Sequence, residues 1–266
     1  MKYINFHSGS RGNCTWVAST STQVIIDCGG NKHALSHALH NWGVNLDCVD
    51  GVLITHNHSD HIAQLKLFKQ VKCVMSPVDL KDRPDCINPM PYVPFWIGDI
   101  EITSLVLSHD SGLTYGYVLR HDDVRLVYIT DTGYIKVSDY PYLRNADIYI
   151  FESNHDVEML MKTNRPHVIK ARILSDSGHL SNEDSAAILA HVIGPNTKEI
   201  VLAHLSEQAN TPQLALASLK ATLSEVDDLH PELSVRCAHQ YEVLTGGFNH
   251  EKQSYQSLDL SLNRLK

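Results

Sequence analysis

The segment Thr55-His56-Asn57-His58-Ser59-Asp60-His61 contains four potential metal ligands, His56, His58, Asp60 and His61, within six consecutive residues. An apolar run, GVLIT, ends at the start of this segment and a stretch with helical spacing follows, so we predict a strand-to-helix turn. In the extended part of the turn, His56 and His58 face one side, whereas the next Asp and His turn another way. Ligands at this density indicate a site for two adjacent metal ions and not a solvated polar loop.

Short apolar, β-rich runs recur along the chain and are interleaved with stretches of helical spacing. Near-continuous apolar strands are typical of sheets that are covered on both faces. Strands are predicted at residues 23–27, 51–55, 71–75, 101–107, 115–120, 124–130, 146–151 and 199–203. Helices are predicted at residues 32–42, 61–70, 181–192 and 211–223, with helix-start signals at Ser181-x-x-Asp184 and Thr211-Pro212. This order predicts a layered α/β sandwich.

Length and composition limit the classes of protein to which this chain can belong. The chain has 266 residues, and 43% apolar composition is enough for a packed core, so we expect one domain over residues 1–248 and a polar tail over residues 249–266. No apolar stretch is long enough to span a membrane, and nothing near the first residue resembles a signal peptide. The six cysteines form no C-x-x-C pair, which favours free thiols and a cytoplasmic location.

Histidine and net charge give further hints about the site. The chain contains 17 histidines, and histidine is the commonest metal ligand in proteins. Lys and Arg number 22 against 30 Asp and Glu, so the net charge is −8. This charge disfavours broad nonspecific binding of nucleic acid, although a local cleft made positive by metal ions is compatible with it.

Four further motifs stand at the ends of predicted strands. They are Asp27 in QVIIDCGG, His109 in LSHD, Asp131 in TDTG and His204 in IVLAH. Together with the histidine-rich segment, and in this order, they resemble the metallo-β-lactamase-fold hydrolases over residues 6–239. The resemblance implies an α/β fold of the αββα type, a four-layer sandwich.

The resemblance also implies a metal site with two divalent ions. His56, His58 and His109 would hold one ion, Asp60, His61 and His204 the other, with Asp131 as the bridge and Asp27 orienting ligands through hydrogen bonds. The donor atoms are all nitrogen and oxygen, so Zn²⁺ and Mn²⁺ both fit. Two close cations lower the pKa of a bridging water and neutralise phosphoryl charge, which predicts hydrolysis by metal-bound hydroxide, with Asp60 and Asp131 in the catalytic machinery.

Three further segments resemble the YycJ/WalJ-like branch, whose members are associated with 5′-to-3′ exonuclease activity on DNA. They are SGSRGNC at residues 8–14, ESNHD at residues 152–156, and SGHLSN at residues 177–182 followed by AHLSEQAN at residues 203–210. The branch normally has two Asn at the end of the last stretch, whereas this chain has Ala209-Asn210. The resemblance suggests substrate contacts from Ser10, Asn13, Asn154, His155 and Asn210. A tight turn explains the first segment equally well, and packing or capping explains His155 equally well.

Glu152 and His179 occupy places similar to the Glu and His that accompany the dimetal site of tRNase Z and β-CASP nucleases. A carboxylate beside an imidazole can hold it protonated, ready to give a proton to a leaving alkoxide. We therefore expect His179 to be the general acid and Glu152 its partner. The alternative is a structural ion pair that supports the metal ligands.

Two groups of basic residues are possible contacts for a phosphate backbone. The first is Lys66, Lys69 and Lys72, and the second is Arg165, His167, Lys170 and Arg172. A charged, solvated helix face explains the first group equally well.

The preferred hypothesis is a dimetal-dependent phosphodiesterase that acts on nucleic acid, with DNA favoured over RNA, as a 5′-to-3′ exonuclease. One alternative is a small-molecule hydrolase, either a glyoxalase II-like thioesterase or a lactonase, which the acidic charge favours. Others are a tRNase Z-related RNA phosphodiesterase and a non-catalytic metal-dependent sensor. The short intervals between the motifs leave no room for a β-CASP insertion or a tRNase Z arm. The oligomeric state stays open.

Overall fold

The computed structural model describes residues 1–224, 226, 229 and 231–248. In this part of the chain, the first of two sheets has six strands. Across this sheet the order is β13 (Leu244–Gly247), β1 (Lys2–His7), β2 (Cys14–Ala18), β3 (Gln23–Ile26), β4 (Gly51–Leu53) and β5 (Cys73–Met75). Strands β13, β1, β2 and β3 pair antiparallel, whereas β3, β4 and β5 run parallel.

The second sheet has seven described strands. Its order is β12 (Ser234–Cys237), β11 (Glu199–Ala203), β10 (Ile148–Glu152), β9 (Val124–Ile129), β8 (Gly112–His121), β7 (Ile100–His109) and β6 (Phe95–Ile97). The four strands from β12 to β9 are parallel, and β9, β8, β7 and β6 pair antiparallel. Because β3 and β4 in one sheet and β9 to β11 in the other are parallel, their carboxyl ends lie at one edge of each sheet.

Helices lie between the strands along the chain. They are α1 (Lys32–Asn41), α2 (Ser59–Ile62), α3 (Tyr140–Leu143), α4 (Val157–Lys162), α5 (His167–Ile173), α6 (Asn182–Val192) and α7 (Pro212–Leu223). Short 3-10 helices cover Leu46–Cys48, Leu65–Phe68 and Val137–Asp139. No helix in the described residues is long and apolar enough to cross a membrane.

Three buried apolar clusters define four layers. The central cluster lies between the sheets and includes Leu53 of β4 and Ile150 of β10. A second packs α1, through Leu35, on the outer face of the first sheet, and a third packs α6, through Leu189, on the outer face of the second. This arrangement confirms the predicted αββα sandwich. The polar tail expected at residues 249–266 lies outside the described residues.

All eight predicted strands are present, but the predicted helix at 61–70 is wrong. The chain forms α2, a break and then the 3-10 helix Leu65–Phe68. The break has a tertiary cause, since the amide of Gln64 donates to the carbonyl of Cys28 at 2.8 Å and not to the preceding helical turn. The Gln64 side chain donates to the carbonyl of Gly30 at 2.7 Å, so the loop after β3 captures this residue.

Both predicted helix starts are confirmed. Ser181 caps α6 by accepting from the amide of Asp184 at 3.0 Å, and Thr211 caps α7 with Pro212 in the first turn. The cysteines are all free, as expected, although Cys48 is exposed.

The loop after β3 also supports the histidine-rich segment. The amide of Cys28 donates to the carbonyl of His61 at 2.7 Å, and the amide of Asn13 donates to the carbonyl of Asp60 at 2.8 Å. Gly29 lies so close that a Cβ on it would stand 1.6 Å from the Asp60 carbonyl oxygen. A glycine is therefore required here for close backbone approach.

Replacing Gly29 with alanine tests this contact. Gly29→Ala should lower the free energy of unfolding by at least about 3 kcal/mol, because the added methyl group meets backbone that cannot move aside. Urea unfolding followed by circular dichroism measures the change. Gly43→Ala is the control, since its Cβ meets nothing within 4 Å and only the left-handed φ of +68° adds a cost of about 1 kcal/mol. Equal losses in the two variants would contradict the packing argument.

Candidate metal centre

The histidine-rich segment follows β4 and runs into α2, with His58 at the N-cap position. His56 and His61 are fully buried. The ligand-type atoms of His56, His58 and His109 lie within 4.8 Å of one another. The structure therefore brings together the three residues that were predicted to share one ion.

A second group forms around the buried carboxylate of Asp131. Its Oδ2 lies 3.2 Å from His61 Nε2 and 3.0 Å from His204 Nδ1. Its Oδ1 lies 3.9 Å from His109 Nε2. Asp60 Oδ2 is 3.4 Å from His61 Nε2. The other ligand-type atoms that lie within 4.8 Å of one another are those of His56, His61 and Asp131, and those of Asp131, Glu152, His179 and His204, so Asp60, His61 and His204 do not form one group as predicted. Asp131 thus stands between the two groups of ligand candidates, as a bridging carboxylate must.

Three of these strand-end residues have left-handed backbone. Asp27 follows β3 with φ 57°, Asp131 follows β9 with φ 58°, and His204 follows β11 with φ 56°. Such angles are uncommon outside glycine, although Asp, Asn and His adopt them more readily than most residues. The turn they make stops each strand and sends its side chain toward the shared edge, and backbone strain of this kind concentrates at functional sites.

Hydrogen bonds orient the histidine rings. Asp27 Oδ2 accepts from His61 Nδ1 at 2.7 Å and from the Thr55 hydroxyl at 2.9 Å, and Asp27 Oδ1 accepts from the Thr55 amide at 2.9 Å. His109 Nδ1 donates to the carbonyl of Gly178 at 3.1 Å. Because Nδ1 carries the proton in these bonds, Nε2 is left with a lone pair for a metal ion.

Thr55 and the carbonyl group of Gly178 are parts of the site that no sequence motif predicts. Thr55 stands beside the first ligand candidate, at the end of the strand predicted at residues 51–55. Gly178 acts through its carbonyl group, which every residue has, so its identity carried no signal.

Unsatisfied buried atoms test whether these residues fit metal ions. In the described part of the chain, three buried atoms have no hydrogen bond: His56 Nε2, Asp131 Oδ2 and His204 Nδ1. The last two lie 3.0 Å apart but do not form a hydrogen bond with each other. Burial of polar atoms without partners is costly. The donors are imidazole nitrogen and carboxylate oxygen, which suit Zn²⁺ and Mn²⁺. The residues therefore fit divalent cations.

The carboxylates and histidines of the centre shift one another's pKa. Burial alone would lower the pKa of His204, but the carboxylates of Asp131 and Glu152 outweigh it and raise the value to about 10. Burial lowers the pKa of His56 to about 2, helped by the neighbouring histidines. Burial would raise the pKa of Glu152, but His179 and His204 hold it at about 2. The centre therefore contains ionised carboxylates in a buried setting, which attract cations.

Glu152 and His179 are brought together as the sequence predicted. His179 Nδ1 lies 2.7 Å from Glu152 Oε1, and the His179 ring lines the cleft with 19% of its side-chain surface exposed. Glu152 is fully buried at the end of β10, and its Oε2 accepts from the amide of Thr132 at 2.9 Å. Glu152 Oε1 also lies 3.4 Å from His204 Nδ1. An imidazole at the cleft surface with a buried carboxylate behind it is an arrangement that can serve acid–base chemistry.

The five expected substrate contacts divide into two sets. Ser10 and Asn154 line the cleft. Asn13, His155 and Asn210 are buried and are not among the residues that line it. Asn13 exchanges hydrogen bonds with the backbone of Gly9. His155 is buried with neither ring nitrogen bonded to another described residue.

Asn210 is tied into the wall of the fold. Its side-chain amide donates to the carbonyl of Ser153 and to the side chain of Asn182, both at 2.9 Å. A contact with substrate from Asn13, His155 or Asn210 therefore needs a rearrangement, whereas Ser10 and Asn154 are already at the surface of the cleft.

The cleft has a volume of about 210 Å³ and contains two basic side chains, Arg165 and Arg172. Lys170, predicted in the same basic group, is buried and donates to the carbonyl of Met161 at 2.7 Å. Lys66, from the other basic group, is exposed and pairs with Asp82 at 3.3 Å. Of the basic residues predicted to contact phosphate, Arg165 and Arg172 therefore line the cleft, whereas Lys170 and Lys66 do not.

Comparisons with known proteins agree with this geometry. A family model described as the β-lactamase superfamily domain matches residues 22–205, a range that includes every strand-end motif from Asp27 to His204. Exodeoxyribonuclease YycJ of Bacillus anthracis is 36% identical over 232 residues, covering 82% of this chain and 87% of the relative. Exodeoxyribonuclease WalJ of Streptococcus pneumoniae is 32% identical over 240 residues, covering 85% and 89%. The crystal structure of the metallo-β-lactamase fold protein YhfI from Bacillus subtilis has a TM-score of 0.67 at 19% identity, covering 92% of this chain and 100% of YhfI.

Removing the charge of Asp27 tests its orienting role. Asp27→Asn should lower the affinity for Zn²⁺ about 10- to 100-fold, because His61 loses the carboxylate that fixes its ring. Competition with a chromogenic chelator measures this affinity without any assay of activity. Asp79→Asn, an exposed position away from the centre, is the control and should bind like the unmodified protein. Unchanged affinity in a folded Asp27→Asn protein would show that the carboxylate does not orient a ligand.

Proposed function

The chain belongs to the β-lactamase superfamily, with the metallo-β-lactamase fold, and from this premise we propose that it is a two-metal phosphodiesterase that removes nucleotides from the 5′ end of DNA. The observation that carries the proposal is the buried carboxylate of Asp131 between two groups of histidines. Relatives named exodeoxyribonucleases match the chain over more than four-fifths of its length, which supports DNA as the substrate.

In this proposal seven residues hold two divalent ions, either Zn²⁺ or Mn²⁺. His56, His58 and His109 bind one, Asp60, His61 and His204 bind the other, and Asp131 bridges them. When bound, such ions activate water and neutralise charge on the phosphoryl oxygens. Asp27 contributes by holding the His61 ring through its Nδ1.

The protein's own residues supply the remaining steps. A water molecule gives its oxygen to phosphorus and one proton to the solvent, and the bond from phosphorus to the 3′ oxygen breaks. This oxygen takes a proton from His179, which then regains one from the solvent. The phosphate stays on the 5′ carbon of the next nucleotide. Glu152 keeps the ring of His179 in place through the 2.7 Å contact. In this proposal Ser10 and Asn154 contact the strand, which is supported by their position in the lining of the cleft.

The net charge of −8 means that the whole surface does not attract DNA. Attraction must come from the bound cations and from the two arginines in the cleft. A small-molecule esterase or lactonase needs no such arginines, and the relatives' names do not favour it. RNA is retained as an outcome of the experiment below.

End-labelled duplexes test the reaction. Protein loaded with Zn²⁺ or Mn²⁺ should release labelled mononucleotide from a 5′-labelled DNA strand at once, and shorten a 3′-labelled strand progressively. Asp131→Ala should lower the rate at least about 1,000-fold, since the bridge between the ions is lost. Turnover of a thioester or lactone with no nucleotide release would overturn the proposal. Faster release from an RNA strand of the same sequence would change the substrate class.

A change of leaving group tests His179 as the proton donor. His179→Ala should reduce the rate on DNA about 100- to 10,000-fold, because the 3′ oxygen leaves poorly without a proton. The loss should be much smaller on the p-nitrophenyl ester of thymidine 5′-phosphate, whose leaving group needs no proton. Equal losses on the two substrates would assign His179 a structural role with Glu152.

A further inference from the structure

The turn between β1 and β2, residues 8–13, contributes one residue to the wall of the cleft. Its tip carries Ser10, which lines the cleft, and Arg11, whose side chain is 67% exposed. Within the turn, the amide of Gly12 donates to the carbonyl of Gly9 at 3.0 Å. The position of Ser10 therefore depends on how the rest of the protein holds this turn.

The base of the turn is tied to the metal centre. The hydroxyl of Ser8 accepts from the amide of His204 at 2.8 Å, and the amide of Asn13 donates to the carbonyl of Asp60 at 2.8 Å. These two bonds lie at the two ends of the turn. They leave the tip, residues 10–12, to be held by other contacts.

A side chain from a distant part of the sequence holds the tip. Gln240 lies between β12 and β13 and is buried. Its Oε1 accepts from the amide of Arg11 at 2.9 Å, and its Nε2 donates to the carbonyl of Gly12 at 3.0 Å. One buried amide thus pairs with a donor and an acceptor of the turn, in the way that a neighbouring peptide group would.

The surroundings of Gln240 fix the position of its amide. Its backbone carbonyl accepts from His7 Nδ1 at 3.2 Å, so the residue is joined to the end of β1. A Cβ on Gly9 would stand 2.7 Å from Gln240 Oε1, so only a glycine leaves room for the amide at this distance. The side chain of Gln240 is therefore packed into the turn.

A second tie to the tip is weaker. Arg11 Nε lies 2.9 Å from Glu207 Oε2, and 67% and 36% of the two side chains are exposed. Ion pairs this exposed contribute little, because water screens the charges and two long side chains lose freedom. A buried amide contributes more, since its loss leaves backbone groups without hydrogen bonds. The position of the tip consequently depends mainly on Gln240.

We propose that Gln240 is a positioning residue for the substrate, which acts by holding Ser10 and the tip of the turn at the cleft. This inference rests on the function proposed above, in which Ser10 contacts the strand. Gln240 is not among the residues that line the cleft, so it acts through the turn and affects binding of the strand more than the chemical step. The bonds from the base of the turn keep the metal centre in place without it.

Gln240→Met tests this role, because methionine has a similar length and volume but makes no comparable hydrogen bond. The metal-loaded variant should show a KM for DNA about five- to tenfold higher with kcat little changed, the size of one lost hydrogen bond expressed in binding. Its affinity for Zn²⁺, measured by competition with a chromogenic chelator, should be unchanged. Glu207→Gln is the matched control, since it removes the exposed tie to the same tip and should change KM less than about twofold.

Hydrogen exchange gives a second reading that needs no substrate. In Gln240→Met the amide of Arg11 loses its acceptor, so it should exchange at least about tenfold faster in peptides that cover residues 8–13. Peptides that cover the histidine-rich segment, residues 55–61, should keep their protection. Faster exchange in both regions would indicate general loosening of the fold and would contradict a local role.

The kinetic outcomes separate this inference from the proposed function. Hydrolysis of DNA with an unchanged KM in Gln240→Met would overturn the positioning role alone. A fall in kcat and in Zn²⁺ affinity as large as the rise in KM would also overturn it and assign Gln240 a general structural role. If the unmodified enzyme hydrolyses neither DNA nor bis(p-nitrophenyl) phosphate, the proposed function itself is wrong, and the role of Gln240 in binding a strand falls with it.

Discussion

The centre depends on the contacts between the buried carboxylate of Asp131 and the histidines around it. This carboxylate lies within 3.2 Å of His61 and His204, and it reaches toward His109 on its other side. A buried carboxylate is costly unless cations or hydrogen bonds compensate it. The histidines around it must therefore be charged or must share metal ions with it, and the strand ends that carry them are arranged to make this possible.

The two sheets meet at this point through hydrogen bonds as well as through apolar packing. The hydroxyl of Tyr117 in the second sheet donates to the carbonyl of Ile54 at 2.6 Å, and the amide of Tyr115 donates to the carbonyl of Thr55 at 2.9 Å. At the end of β11, the amide of His204 donates to the hydroxyl of Ser8, which follows β1 of the first sheet, at 2.8 Å. Both halves of the centre therefore have hydrogen bonds to the opposite sheet, and one of these bonds is made by His204, a strand end with left-handed backbone.

Glu152 extends this support to the side of the cleft where a leaving group would depart. One of its oxygens contacts His179 and His204, and the other accepts from the amide of Thr132. The backbone carbonyl of Glu152 accepts from the hydroxyl of Ser185 in α6 at 2.5 Å. A single buried residue thus connects the candidate metal ligands, the proposed acid and the outer helix layer.

The sequence by itself determined the candidate ligands and the strand end at which each of them stands. Short motifs at strand ends are local patterns. Apolar runs and helix-start signals are local too, and they predicted eight strands and the starts of α6 and α7. The tertiary structure alone decided how distant segments meet. A hydrogen bond to Cys28 interrupts the helix predicted at 61–70. Thr55 donates to Asp27, and the Gly178 carbonyl accepts from His109. Arg165 and Arg172 line the cleft, whereas Lys170 is buried and donates to the carbonyl of Met161. Apart from the bond between Lys170 and Met161, which are nine residues apart, these contacts join residues far apart in the chain, so they leave no periodic or compositional signal in the sequence.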